Sequence, residues 1–409
     1  MRNLSTTAIL IAAAIAVTSA LSSCGSNSSS TPTAIPNSAT IFYAHNLVFR
    51  NSSTLSTGYN AFGQLGNGNL GNRSLPGALN GAFAFKGFAQ GGVHSVAFFN
   101  NSTVRTWGYN AFGQLGDGTT TYSSSPVTVK NADSTNLSRI TAVAAGGFHT
   151  LALRNDDTLW AWGKNDLGQL GIDSTNTKSG YSTIPVKVAA LGAPFSNISS
   201  IAANGHHSLA RANGLVWAWG LNSSGQLGID PKTTGVMAVP KPVSGLPAAG
   251  ISSIAAGGGF NLAIDKDRLV WAWGANDNGQ LGINTRVASF TPGKVKKSDG
   301  TDLTNIVQVA AGIQHGLARD LNNNIWAWGY NFFGQLGLGI NNTSDSPFAV
   351  QVLDANGTPF TGATDIRAFG SSSMAMKDGV WYVWGDNSYG QLGTGSTAVV
   401  PLPARMSGF

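Results

Sequence analysis

The sequence predicts an all-β protein, a seven-bladed β-propeller of antiparallel blades, and three observations carry that prediction. First, the tetrapeptide Gly-Gln-Leu-Gly occurs seven times, beginning at Gly63, Gly113, Gly168, Gly225, Gly279, Gly334 and Gly390, each three residues after an Asn. Second, successive copies lie 50 to 57 residues apart, the spacing of supersecondary units that stack on their neighbours. Third, apolar residues alternate with period two around each copy, as in Leu151-Ala152-Leu153 and Trp160-Ala161-Trp162, the pattern of half-buried strands. Small sheets repeated seven times bury their faces when set radially about an axis, which leaves only short edges.

The chain begins with a positive residue, Arg2, and an apolar run from Ala8 to Ala20 that is too short to span a bilayer as a helix. Leu21-Ser22-Ser23-Cys24 follows and resembles a bacterial lipobox. Residues 1–23 are therefore expected to be a lipoprotein signal peptide, with Cys24, the single cysteine, carrying the lipid. Residues 24–38, rich in Ser, Asn, Thr and Pro, read as a flexible tether, and residues 39–409 as the propeller. The expected location is the bacterial cell envelope, with the chain anchored by lipid alone; Gly25 after the cysteine favours the outer membrane where the host has one.

Within the propeller the clearest unit starts at Ile140 and reaches His149 through Ala144-Ala145-Gly146-Gly147-Phe148. It turns at Asn155-Asp156-Asp157, continues as Trp160-Ala161-Trp162-Gly163, passes the Asn165 to Gly171 loop, and ends in a Pro-bearing piece, Ile184 to Val188. Each unit is thus three or four short strands. Paired tryptophans such as Trp217 with Trp219, Trp271 with Trp273 and Trp326 with Trp328 offer large apolar area between blades. The 53 glycines and the absence of glutamate count against long amphipathic helices. The last unit ends in Val399 to Met406, and this strand is expected to close the ring by completing the N-terminal blade.

The formal charge is +6, but the 12 Lys and 12 Arg are scattered singly except at Lys294, Lys296 and Lys297. Nucleic-acid binders concentrate such charge in a stripe or patch, so nucleic acid is not an expected partner. Five of the six histidines, His45, His94, His149, His207 and His315, share one position in their units, which Phe260 and Ser373 take in the fifth and seventh. They read as structural histidines rather than metal ligands. Asp156-Asp157 lies in a hairpin turn, and Asn276-Asp277-Asn278-Gly279 coincides with the repeated loop rather than a calcium site. No nucleophile elbow, phosphate loop or metal-spaced Cys/His set occurs. The expectation is a non-enzymatic monomer with no metal and no cofactor.

Together, Ala-Ala-Gly-x-x-His-x-Leu-Ala, Trp-Ala-Trp-Gly and Asn-x-x-Gly-Gln-Leu-Gly resemble the regulator of chromosome condensation repeat family, over about Ala39 to Phe409. The resemblance implies a seven-bladed propeller. It also brings two precedents: a chromatin-bound exchange factor for a small GTPase, and a secreted bacterial member that inhibits β-lactamases with one propeller face. The second is closer in expected compartment, and no target is carried over from either.

Variation between units points to a face. Aromatics flank the repeated Asn as Tyr59, Tyr109 and Tyr330, and lie within the loop as Phe62, Phe112, Phe332, Phe333 and Tyr389. They collect on units six, seven, one and two, which are neighbours in a closed ring, and are expected to form a crescent that engages a protein partner. The competing reading, an aromatic packed beneath its loop, is stronger for Phe62, Phe112, Phe333 and Tyr389 than for the others. Two further functions stay open at this point: a polysaccharide-active enzyme with a site at the central channel, and a surface adhesin or structural display module.

Overall fold

The computed structural model describes residues 43–50, 53–81, 83, 85–172, 180–188 and 196–408. Residues 1–38, in which a signal peptide, a lipidated Cys24 and a tether are expected, lie outside the described residues. Those residues belong to one compact unit, Thr40–Phe409, and contain 27 strands and no helix. The strands form seven antiparallel sheets arranged as the blades of a propeller, six with four strands and the first with three. In blade 3 the order from the axis outwards is Ile140–Ala145, His149–Arg154, Leu159–Lys164 and Tyr181–Lys187.

The repeated loop folds the same way seven times because its hydrogen bonds are local. The Asn side-chain oxygen accepts the Leu N–H five residues on, from Leu65 to Asn60 at 2.8 Å through Leu392 to Asn387 at 3.0 Å. The Gln side-chain oxygen accepts the N–H two residues before it, as from Phe62 to Gln64 at 3.0 Å. The first glycine has φ +81° at Gly63, and a Cβ there would lie 2.4 Å from Cα of Ser124 in the next blade. Only glycine permits both the left-handed turn and that approach.

Five of the seven loops also clasp the following blade. The carbonyl of Gln114 in blade 2 accepts both the Thr150 hydroxyl at 3.0 Å and the Trp162 indole N–H at 2.9 Å from blade 3. Thr150 Oγ1, its proton given to Gln114, then accepts from Nε2 of His94 at 2.9 Å. The same clasp joins His45 to Ser95, His149 to Ser208, His207 to Asn261 and His315 to Ser373. The hydrophobic clusters run across the same interfaces: Trp219 packs with Leu151 and Leu153, and Trp384 with Leu317 and Ala327. The five histidines are therefore structural, as their spacing suggests. Burial pushes their pKa values down, to about 4 for His45 and His207 and about 3 for His94 and His315, because a charged ring there would lose its hydration.

Two sequence expectations need correction. Strand pairing sets Ser372, not Ser373, opposite Gly385, where each clasp histidine faces its own glycine. Ser373 instead takes the hydroxyl position that receives His315. Second, the C-terminal strand Val400–Arg405 does not complete the N-terminal blade. It pairs with Val380–Gly385 in its own blade, because the repeated loop between them returns the chain to that edge as it does in the other blades. Blade 1 already has an outer strand, Arg73–Ala78, paired with Ser53–Gly58. The ring closes through loop contacts instead: Gly395 N–H bonds the Ser74 carbonyl at 2.9 Å, the counterpart of Gly68 to Ser124 at 2.8 Å.

Candidate functional site

Seven equivalent backbone bonds build one face of the disc. The residue before each repeated Asn donates its N–H to the carbonyl just ahead of the clasp position: Tyr59 to Ala44, Tyr109 to Val93, Lys164 to Phe148 and Leu221 to His206, then Ala275 to Gly259, Tyr330 to Gln314 and Asp386 to Ser371. Side chains at these fourteen places therefore stand on pinned backbone. Their identities divide the face into sectors.

A continuous row of rings crosses blades 7, 1, 2 and 3. Tyr389 meets Tyr59 edge-on with centroids 4.9 Å apart, and Tyr59 leads to Phe62 at 6.3 Å. Phe62 meets Tyr109 at 4.9 Å, and Tyr109 contacts both Phe112 at 6.3 Å and Phe148 at 6.1 Å. Phe112 and Phe148 lie 5.3 Å apart, and Phe148 reaches His206 of blade 4 at 6.5 Å. Edge-to-face pairs of this kind hold one another's rotamers. The ammonium of Lys164 caps the row, 5.1 Å from the Phe112 ring and 5.8 Å from Phe148, while pairing with Asp166 at 2.9 Å.

Phe62 is 2% exposed and acts as the buried spacer between Tyr59 and Tyr109. Tyr59, Tyr109, Phe112, Phe148 and Tyr389 are half-buried, each with an edge to solvent. Desolvation raises the Tyr59 and Tyr109 phenols above their ordinary pKa, Tyr389 adding to the shift of Tyr59, so both stay neutral donors. His206 is pushed down by burial and then by the Lys164 charge.

Blade 6 carries a separate triad. Tyr330 stacks on Phe332 at 6.4 Å, and Phe332 meets Phe333 at 5.1 Å with the rings nearly perpendicular. Phe332 is 66% exposed. No ring contact among the described residues links this triad to Tyr389. At the blade 7 position equivalent to Tyr59 and Tyr109 stands Asp386, whose carboxylate accepts Ser388 N–H at 3.0 Å and the Gln391 amide at 2.9 Å. The eight aromatics singled out in the sequence thus fall into a row of five and a triad, and the row continues through Phe148 and His206. The residue just before the clasp histidine varies from Ala44 to Phe148, and that variation is the signal that could have found them.

The RCC1-like domain family matches residues 53–408. Among curated relatives, the mitochondrial RCC1 domain-containing protein RUG3 of Arabidopsis thaliana is 31% identical over 262 residues, 62% of this chain and 55% of that protein. The ultraviolet-B receptor UVR8 of the same plant is 30% identical over 270 residues, 66% of this chain and 58% of UVR8. The chain thus spans somewhat over half the length of these relatives. Among solved structures, human WBSCR16 superposes with TM-score 0.75 at 22% identity, covering 86% of this chain and 93% of that one. Prp20p of Saccharomyces cerevisiae gives 0.72 at 22%, covering 91% and 90%; at such identities the likeness is one of fold. With its seven blades and its match over nearly the whole propeller, the chain belongs to the RCC1-like domain family.

Proposed function

We propose that this protein is a non-enzymatic binding platform whose aromatic row, from Tyr389 through Tyr59 and Tyr109 to Phe148, engages a protein partner. One observation carries the reading: neighbouring half-buried rings on pinned backbone form a contiguous strip with one cation at its end. Ordered aromatics lose little side-chain entropy when a partner covers them, and Tyr and Phe supply both apolar area and hydrogen-bonding rims. Relatives lend support. Prp20p of yeast binds Gsp1p and histones, and a second structure shows Kap60 bound to the yeast protein. The match to the human ubiquitin ligase HERC2 covers 5% of that protein, so its ligase activity is not carried over.

The proposed setting is the cell envelope, through export by residues 1–23 and a lipid on Cys24. Labelling with radioactive palmitate should mark the wild-type chain and not Cys24→Ala. For the platform itself, the immobilised protein is exposed to envelope and culture-supernatant extracts beside a Tyr59→Ala/Tyr109→Ala variant. A protein held by wild type and lost by the folded variant establishes the row as the site. Equal retention by both removes it, and retention lost only in Phe332→Ala moves the site to blade 6.

A further inference from the structure

Every blade has two ends. Its innermost and third strands run toward the face of the repeated loops, and its second and outer strands run away from it. The hairpins between second and third strands, with the links from each outer strand to the next blade, therefore build the opposite face. In blade 5 these are residues 266–269 and 295–305.

Charges that look scattered in the sequence sort between these faces. By strand register, 18 of the 22 described Lys and Arg lie toward the opposite face, with 11 of the 17 described Asp. The repeated-loop end keeps four cations and six aspartates, so the two ends carry +7 and −2. Lys86, Lys187, Lys241 and Lys266 are exposed, one on each of blades 2 to 5, and none forms an ion pair among the described residues. Charge spread from blade to blade covers a broad surface, where a nucleic-acid binder would draw it into a stripe.

A second observation concerns the apolar groups at the same end. Trp160 and Trp271 pair with Lys187 and Lys294 at the far ends of their outer strands. Together with Trp326 they are half-buried, and each ring carries a cation: Arg154 at 4.8 Å from Trp160, Lys294 at 5.8 Å from Trp271 and Lys297 at 6.0 Å from Trp326. The Trp271 and Trp326 indoles donate to the buried Asp265 and Asp320 at 2.8 and 3.1 Å, which fixes the rings. Leu215 and Leu321, at the hairpins of blades 4 and 6, are 50% and 49% exposed. Indoles and long basic side chains concentrate at the headgroup level of bilayers. Exposed leucines gain nothing against nucleic-acid phosphates.

We propose that the face opposite the repeated loops docks on an anionic phospholipid bilayer, with its lysines among the lipid phosphates and Leu215 and Leu321 entering the headgroup layer. The aromatic row then points away from the membrane. Docking of this kind needs neither a lipid on Cys24 nor the aromatic row.

Co-sedimentation of the full chain with vesicles of phosphatidylcholine, alone or mixed with phosphatidylglycerol, tests the idea. The mixed vesicles should hold more protein and release it as salt rises, because exposed charges are screened. Each lysine near such a surface is worth a factor of about five. Lys86→Gln/Lys187→Gln/Lys241→Gln/Lys266→Gln should therefore weaken binding at least about twentyfold, whereas Lys232→Gln on the other face should bind as wild type does. Leu215→Ser/Leu321→Ser should cost at least about threefold through lost apolar burial. All forms share residues 1–38, so differences between them report the propeller. Tyr59→Ala/Tyr109→Ala should sediment with the mixed vesicles as wild type does, which separates this face from the platform. No preference for the mixed vesicles, retention that ignores salt, or full affinity in the quadruple lysine variant would overturn the proposal. Duplex DNA held as tightly as the mixed vesicles would overturn it too, by assigning the face to nucleic acid.

Discussion

The interface between blades 2 and 3 and the seam between blades 7 and 1 do the same job with different chemistry. At the first, His94, Thr150 and Trp162 converge on the Gln114 carbonyl. At the seam, Ser372, Asn46 and Thr57 hold those three positions. Thr57 reaches the Gly390 carbonyl at 2.8 Å, Asn46 contacts Met374 sulfur at 3.7 Å, and Trp381, Met374 and Met406 pack against Val48. A third variant lies between blades 5 and 6, where Phe260 replaces the imidazole and Gly316 the hydroxyl, and the Gln280 carbonyl keeps only the Trp328 indole. Both polar partners disappear together, so neither is left buried and unpaired. The clasp is one way of joining blades, and the ring closes without it.

Acid should open the widest gap between the two kinds of interface. The five clasp histidines have folded pKa values below the ordinary 6.5, so the unfolded chain takes up protons first. Their contribution is complete above about pH 6.5 and is lost as pH falls toward 4, at up to about 1.4 kcal/mol per histidine per pH unit. Urea midpoints should drop across that window. A flat profile would mean that the rings are hydrated or already charged.

Next in size, Trp162→Ala should cost about 3–5 kcal/mol through the cavity it leaves, against about 1 kcal/mol for Thr57→Val at the seam. Similar losses at both positions would erase the distinction. Thr150→Val should cost about 1–3 kcal/mol, since it strands the His94 N–H and removes one donor from Gln114. Adding His94→Phe to Thr150→Gly copies the blade 5 and 6 pair, and the double variant should be more stable than the sum of its single changes implies. Strict additivity in chemical denaturation would show that the two side chains do not act as a unit. The smallest effect is expected on the face: Tyr59→Ala and Phe332→Ala should each shift the melting temperature little, because their rings keep an edge to solvent. A large loss in either would assign that ring to blade packing rather than to recognition.

Sequence alone determined whatever is made by neighbours along the chain. The Asn, Gln, Leu and two glycines of each loop bond within about a dozen residues of one another, so seven copies announce seven identical folds. Paired tryptophans at period two disclose which face each third strand presents. The alignment of aromatics across units also located Tyr59, Tyr109 and Tyr389 on neighbouring blades before any coordinates.

Only the tertiary structure decided what depends on closure. Sequence spacing cannot say which edge of a blade lacks a strand: it allows Val400–Arg405 to complete blade 1, whereas that blade has its own outer strand. Nor does it show that the row runs on through Phe148 and His206 while no ring contact among the described residues joins it to Phe333. Tyr43 and Gly205 lie 162 residues apart in sequence, yet share a hydrogen bond across the axis. Contacts of that kind leave no periodic signature, because they arise once, when the curvature accumulated over seven blade interfaces brings distant residues to the same centre.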